Sequence, residues 1–437
     1  MLPERAQVLI VGGGPAGLGA AIELKRLGVG QVVVAEREKE AGGIPRLCHH
    51  TGFGLRDQGW LLSGPDYAGR YRQQARAAGV TIHTSTTITG WRSPAGWGST
   101  AGWTAPAGEP AAAQGRGPVA LGYTSPHGIG QIEAQAVLLA TGCRERPRSA
   151  RLVPGSRPAG VFTTGSLQRF VYEDHLPVGG RAVIVGAELV SLSALMTLQH
   201  AKVPVAMLLT EQPRHQLYLP YLPMKWLLAD WLGRAPIATG VKLSNIMGRE
   251  RVEAIEITHL ASGGVETVAC DTLIFTGDWV PEHEMARLGG LLMDGGARGP
   301  RVDTGFHTSR RGVFAAGNLL RGAEQADVAA LEGRQAARYL HDFLQADEWP
   351  EPQVPVVVEP PLEWICPNVI APMPVAPFRF RSREFAKHAR LEVRQGSQVL
   401  HSQVFRRLIV NESMTLAGDW VRRVQAAGGP VTLRVVQ

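Results

Sequence analysis

Four apolar residues, Val8 to Val11, run straight into Gly12-Gly13-Gly14-Pro15-Ala16-Gly17, and Glu36 follows a second apolar run, Val32-Val33-Val34. These types at this spacing suit a nucleotide diphosphate. Gly12 permits a tight turn out of a strand, Gly14 lets backbone approach a pyrophosphate, and Gly17 lets the next helix pack close to the strand. Pro15 and Ala16 open that helix, expected over residues 16–27, so that its leading amides face the phosphates. Glu36 then accepts the hydroxyls of an adenosine ribose. A glycine-rich turn alone is common; strand, turn, apolar helix, strand and acid in this order are specific.

Other polar groups have two readings each. Cys48, His49 and His50 follow Gly42-Gly43, and an imidazole there is either a proton donor at the site or a loop residue bonded to backbone. Arg144, Glu145, Arg146 and Arg148 follow Thr141-Gly142 and read as a solvated or interdomain ion-pair cluster. A second turn, Gly186-Ala187-Glu188-Leu189-Val190-Ser191, lies between the strand Arg181–Val185 and a helix over residues 189–200. There Glu188 and Ser191 stand where glycines would be, and a carboxylate adds bulk and like charge against a diphosphate. Glu211, at the spacing of a ribose-binding acid, argues the other way.

Cysteine usage removes a class of chemistry. Cys48, Cys143, Cys270 and Cys366 include no CxxC or CxxxxC pair for a redox dithiol and no cluster to ligate iron and sulfur. His, Cys and acidic residues do not recur at metal-ligand spacing, so no metal is predicted. No Ser/His/Asp or Cys/His nucleophile is legible.

The elements that must position these groups are readable. At 437 residues the chain holds more than one domain. Strand patterns end at Thr141-Gly142, at Thr276-Gly277 and at Gly317-Asn318. The pattern predicts an α/β chain of two Rossmann-like domains: residues 1–154 and 281–343 form the first, and residues 155–280 form a second inserted in it. A Pro-rich connector spans 344–377, and the alternating pattern of residues 378–437 predicts a small antiparallel β-module. Residues 93–117 read as a long variable loop. Tyr218 to Leu232 is the most apolar and aromatic stretch, either core or a docking surface. No run reaches the length of a membrane span. A fingerprint starting at residue 8 leaves no room for a signal peptide, which predicts a cytoplasmic protein. Net charge is +7, yet only six of 45 basic residues are Lys and the arginines are scattered, which argues against nucleic acid.

The segments Gly12–Gly17, Ala136–Gly142 and Gly312–Asn318 together resemble the two-dinucleotide-domain flavoproteins of the glutathione-reductase-like superfamily. The resemblance implies FAD at the first fingerprint, contacted by Gly12, Gly14, Pro15, Ala16, Gly17, Glu36, Arg37, Gly43, Arg46, Thr141, Gly142, Gly317, Asn318 and Ala326. Asn318 departs from the usual Asp, keeping a hydrogen-bonding side chain and removing a charge. The helix from Ala326 is expected to aim its amides at the isoalloxazine. The same resemblance assigns NAD(P)H to the second domain, where Glu188 opposes it. Cys48–Leu55, Thr141–Arg148, Gly160–Gly165, Gly186–Glu188 and Ala316–Leu320 are similar to α subunits of sarcosine oxidase, opine oxidase, D-hydroxyproline dehydrogenase and hydrogen cyanide synthase, and to flavoproteins found beside glycerol-3-phosphate dehydrogenases. This implies an electron-transferring subunit whose partners are a substrate-oxidising flavoprotein and a small iron-sulfur protein, with any FMN or [2Fe-2S] group on them. The substrate would be a small amine, amino acid or hydroxy acid. A self-sufficient NAD(P)H-dependent flavin oxidoreductase and a non-catalytic flavin-binding scaffold are the alternatives.

Overall fold

A computed structural model describes residues 2–92, 117–218, 222, 235–351, 354–371 and 377–436. The loop expected over 93–117 and the aromatic stretch from Tyr218 lie almost wholly outside these residues.

The first sheet is built on β1 (Arg5–Val11), which enters the turn before helix α1 (Pro15–Arg26). β2 (Val32–Ala35) pairs parallel with β1. Helix α2 (Gly64–Ala77) leads to β3 (Thr81–His83), parallel to β2. β4 (Thr87–Trp91), β5 (Val119–Ser125) and the first half of β6 (Gly128–Leu139) form an antiparallel meander. The second half of β6 pairs parallel with β1 on one side and with Val313–Ala315 on the other. Strands buried on both faces carry continuous apolar runs, and Val8–Val11 and Ala136–Leu139 are buried accordingly.

A second parallel sheet, in the order Val161–Thr163, Thr272–Phe275, Ala182–Val185, Val205–Thr210, Ile237–Thr239, lies between the two visits to the first. On one face Ile184, Leu208 and Ile274 pack against helices α3 (Thr164–Tyr172) and α4 (Leu189–His200). On the other, Val183, Leu209, Leu273 and Phe275 meet a three-stranded antiparallel sheet through Leu243, Ile255 and Ile257. Two short strands, Cys143–Glu145 and Trp279–Pro281, pair at the neck between the two sheets.

Helix α5 (Ala326–Ala346) follows the return strand and lies against α1. A Cβ on Gly333 would sit 2.0 Å from the Ala16 carbonyl oxygen, and one on Gly19 would sit 2.7 Å from that of Ala330. The two helices therefore touch backbone to backbone.

The C-terminal module is larger than the alternation over residues 378–437 indicates. Val354–Val358 and Leu362–Cys366, within the expected connector, are strands of it, and Val356–Val358 pair parallel with Val431–Leu433. The prolines hid them: Pro355 interrupts a strand, and Pro360-Pro361 and Pro367 flank another. The module has its own core around Trp420, Phe378 and Phe380. It joins the first domain through buried charge. Arg321, 3% exposed, pairs with Glu332 and with Glu324 at 3.4 Å, and Arg379 from the module approaches Glu332 at 3.7 Å.

Removing one partner of a buried network strands the others. Arg321→Met is expected to cost about 3–5 kcal/mol in chemical denaturation. Arg383→Met, at an exposed pair with Glu363, should cost less than about 1 kcal/mol.

Candidate functional site

The fingerprint glycines are separable by what a side chain would strike. A Cβ on Gly12, at φ +107°, would lie 2.4 Å from the Ala140 carbonyl oxygen, and one on Gly17 would lie 1.9 Å from that of Gly12. Both are required by the fold itself. Gly14 is different: its backbone is extended, with φ −79° and ψ −172°, and the nearest atom to an added Cβ is Gly43 Cα at 3.9 Å. Nothing in the chain forbids a side chain there, so the room in front of α1 is left for something outside the chain. Glu36 is buried and fixed in front of the same turn, with Oε2 accepting from Gly13 N and Oε1 from Glu38 N, each at 2.8 Å. Backbone amides, a helix N-terminus and a buried acid make a donor set that fits the pyrophosphate and ribose of an adenine dinucleotide.

Gly43 and Gly317 close on this turn, whereas Thr141, Gly142, Arg37 and Arg46 are bonded to Glu282 and Glu173. Gly42 N donates to Gly13 O at 2.7 Å, and Gly43 lies against Gly14. Gly317, at φ +73°, would place a Cβ 2.7 Å from that of Ala16. Asn318 follows and accepts at 3.2 Å from the amide of Glu324, which lies two residues before α5 opens at Ala326. Thr141 Oγ1 donates to the Glu282 carbonyl oxygen at 2.8 Å, and Gly142 O accepts from Glu282 N at 2.9 Å. Arg37 pairs with the Glu282 carboxylate at 3.3 Å, while Arg46 pairs with Glu173.

Cys48, His49 and His50 lie at the contact between the first domain and α3–α4. The Cys48 thiol donates to the Ile44 carbonyl and to Gln168 Oε1 at 3.5 and 3.8 Å, and burial pushes it up to about 12. His49 stacks on Tyr172, ring centroids 4.0 Å apart. His50 Nδ1 bonds the Thr51 carbonyl at 2.9 Å, which leaves Nε2 to accept from Ser193 Oγ at 2.8 Å. Burial lowers the pKa of both histidines. Arg169–Glu38 at 2.8 Å ties the same contact.

The charged run after Gly142 spans the neck. Arg144 pairs with Glu282 at 2.7 Å and with Glu284, and Arg146 pairs with Asp278 at 2.8 Å. Arg148 donates to the carbonyls of Val153, Pro154, Gly155 and Ser156. Glu145 is turned inward, accepting from the Thr164 and Gly165 amides at 3.0 Å each, at the N-terminus of α3.

At the second turn, Glu188 folds back over its own loop. Oε2 lies 2.9 Å from where a Cβ on Gly186 would be, and Oε1 lies 3.3 Å from where one on Gly277 would be. Glu188 is 6% exposed, and burial raises its pKa despite Thr276 and the nearby Arg151. Ser191, fully buried, donates to the Glu188 carbonyl oxygen at 2.5 Å. A carboxyl group thus covers the ground a diphosphate would need. Glu211, just after Val205–Thr210, is exposed.

Sequence reasoning missed Glu282, Asp57 and the network around Arg321. Asp57 accepts from Tyr67 and Tyr71 at 2.8 and 2.6 Å. Glu282 joins Arg37, Thr141 and Arg144 across more than a hundred residues, and no motif marks such a residue. Among the described residues no three His, Cys, Asp or Glu side chains could hold a metal ion, and no helix is long and apolar enough to cross a membrane.

Residues 112–333 match the pyridine nucleotide-disulphide oxidoreductase family, and residues 5–46 match an FAD binding domain. The chain is 25% identical over 356 residues to an opine oxidase subunit from Agrobacterium tumefaciens, covering 77% of this chain and 65% of that one. It is 24% identical to the alpha subunit of sarcosine oxidase from Rhizobium meliloti over 64% of this chain and 25% of that one. The chain thus spans less than two thirds of either relative. The fold matches a thioredoxin reductase of T. acidophilum with a TM-score of 0.61 and 18% identity, covering 78% of this chain and 99% of that one.

Two outcomes are expected. Gly14→Val should leave the far-ultraviolet dichroism intact and abolish FAD content measured after acid release, whereas Gly17→Ala should fail to fold. Glu188 titrates higher when folded than the roughly 4.3 of an unfolded glutamate. The folded state thus keeps a proton that the unfolded chain has lost, and stability falls as pH rises until the folded pKa is passed. Glu188→Gln should therefore raise Tm relative to the parent at about pH 8, with the gain shrinking towards about pH 4.5.

Proposed function

The chain belongs to the pyridine nucleotide-disulphide oxidoreductase family, and on that footing we propose that it is the electron-transferring FAD subunit of a multi-subunit dehydrogenase. It is an FAD-dependent oxidoreductase. Its partners in this reading are a flavoprotein that oxidises a small amine, amino acid or hydroxy acid and a small iron-sulfur protein. The names of the opine oxidase and sarcosine oxidase relatives support the reading.

The observation that carries it is Glu188. With its carboxyl over Gly186 and Gly277, Glu188 sets bulk and an acidic group where a dinucleotide diphosphate would approach the second domain. Electrons then need another entry. The four thiols argue against a disulfide relay, because none is paired and burial pushes Cys48, Cys143 and Cys366 to about 12 and Cys270 to about 11. Thiols that stay protonated at neutral pH are poor nucleophiles.

Bound flavin supplies the electron chemistry, accepting and passing on two electrons. The chain's part is to bind and orient it. Gly12–Gly17 and Glu36 would hold its adenosine diphosphate end, and Gly317-Asn318 with the N-terminus of α5 would hold the other. A helix N-terminus favours negative charge on whatever it faces. The neutral imidazole of His50 and the Cys48 thiol lie in the contact to α3–α4, where they fix the loop after Gly43.

Rapid mixing with NADH and with NADPH tests this reading. The oxidised-flavin absorbance near 450 nm, a property of the cofactor, is expected to persist or to bleach only slowly without saturation. Substrate turnover in a dye-linked assay should appear only when the partner flavoprotein is added. Fast saturable bleaching would instead support a self-sufficient NAD(P)H-dependent oxidoreductase, the reading that Glu211 favours.

A further inference from the structure

The net charge of the chain is not spread along it. Residues 354–437 contain eleven Lys and Arg against six Asp and Glu, a formal +5, and residues 1–353 contain 34 against 32. Most of the excess therefore sits on the C-terminal module. Arg379 and Arg381 take part in the junction with the first domain, so the module's outer face owes its charge to other residues.

Pairing places several of these on one side of one sheet. Arg390 is opposite Val436 and Val404, Glu392 is opposite Arg434 and Ser402, and Arg394 is opposite Thr432 and Val399. Successive side chains of a strand alternate faces, so Arg390, Glu392, Arg394, Val404, Arg406 and Arg434 share one surface. Glu392 holds Arg394 and Arg434 apart at 3.2 Å each and fixes both guanidiniums. A surface cleft of about 300 Å³ opens between those two arginines, walled by Glu359, Gly396, Gly428, Pro430 and Thr432. Between the charges lie exposed apolar side chains, Val404 at 57% and Val399 at 44%.

The same sheet ends in an open edge. Gln398–Leu408, eleven residues long, pairs with Ala386–Gln395 on one side, and no strand among the described residues pairs with the other. Alternate backbone amides and carbonyls along such an edge face outward and invite another strand. A second copy of this chain is a poor occupant, since it would bring +7 against +7. Nucleic acid is also disfavoured, because the face presents no aromatic side chain for a base to stack on.

We infer that this face docks an extended acidic segment of a partner protein, which adds as a strand beside Gln398–Leu408 and sets its carboxylates against Arg406 on the edge strand and Arg390 on the strand next to it. Main-chain bonding supplies affinity and the arginines supply selectivity, as in other strand additions. The inference rests on the subunit reading for the existence of such a partner, but binding is measurable without turnover.

The probe is a fluorescent eleven-residue peptide alternating Glu and Thr, titrated by anisotropy onto the full-length flavin-loaded protein. Binding is expected, weakening at least about tenfold as salt rises from low to physiological strength, as charge complementarity requires. The double variant Arg390→Glu, Arg406→Glu should lose about tenfold in affinity with an unchanged flavin spectrum. The same peptide with Lys for Glu, or with Pro for Thr, should not bind. Equal binding by the Pro peptide or by the charge-reversed variant would overturn the inference. So would displacement of the acidic peptide by a random-sequence DNA duplex or by phosphatidylglycerol vesicles. Unaided substrate turnover would defeat the subunit reading alone and leave these titrations standing.

Discussion

Contact between the backbones of α1 and α5 is the constraint on which the site depends. Gly19 and Gly333 let the two helices approach until carbonyl oxygens fill the space of absent methyl groups. Gly17 does the same between α1 and the turn at Gly12, and Gly317 between the returning loop and Ala16. Four glycines from three separate parts of the chain thus lock one helical turn in place. Because α1 cannot shift, its first amides, the Gly317-Asn318 loop and the start of α5 face a common space.

From that clamp the rest of the molecule is arranged outward. β1 and β6 lie side by side beneath it, and the residues that leave β6 at Thr141 carry the chain across the neck to the second sheet. The second sheet is held close by polar contacts such as His50 on Ser193 and Cys48 against Gln168. The C-terminal module is attached by buried ion pairs and keeps a core of its own. Hydrophobic packing therefore shapes each unit, and polar contacts and ion pairs join them.

Much of this was legible in the sequence, for a physical reason. The strand-turn-helix of Val8 to Leu27 and the Thr-Gly and Gly-Asn strand ends are local patterns, fixed by residues within a few positions of one another, and Glu36 falls at their proper spacing. Glu188 was readable as an intruder because a carboxylate at a glycine position is a local anomaly. What could not be read is long-range. Glu282 draws its partners from residues 37, 141 and 144, and the network around Arg321 reaches Cys366 and Arg379 of the module. The strands Val354–Val358 and Leu362–Cys366 were obscured because proline punctuates them, although edges and ends of sheets tolerate it.

The room in front of Gly14 has a consequence for how this protein tolerates change. The wall around it is made mainly of main-chain amides, so recognition there is written in what has been left out. Apart from Glu36, deleting side chains leaves such a wall intact; adding atoms fills it. An alanine scan, which detects function by removal, would pass over exposed Gln and Lys positions of the first domain with little effect on flavin content, while buried leucines such as Leu9 and Leu138 would lose fold and flavin together. Loss of flavin from a chain that still folds would come from enlargement at positions such as Gly14, and lineages drifting away from flavin binding should show gains of small side chains there.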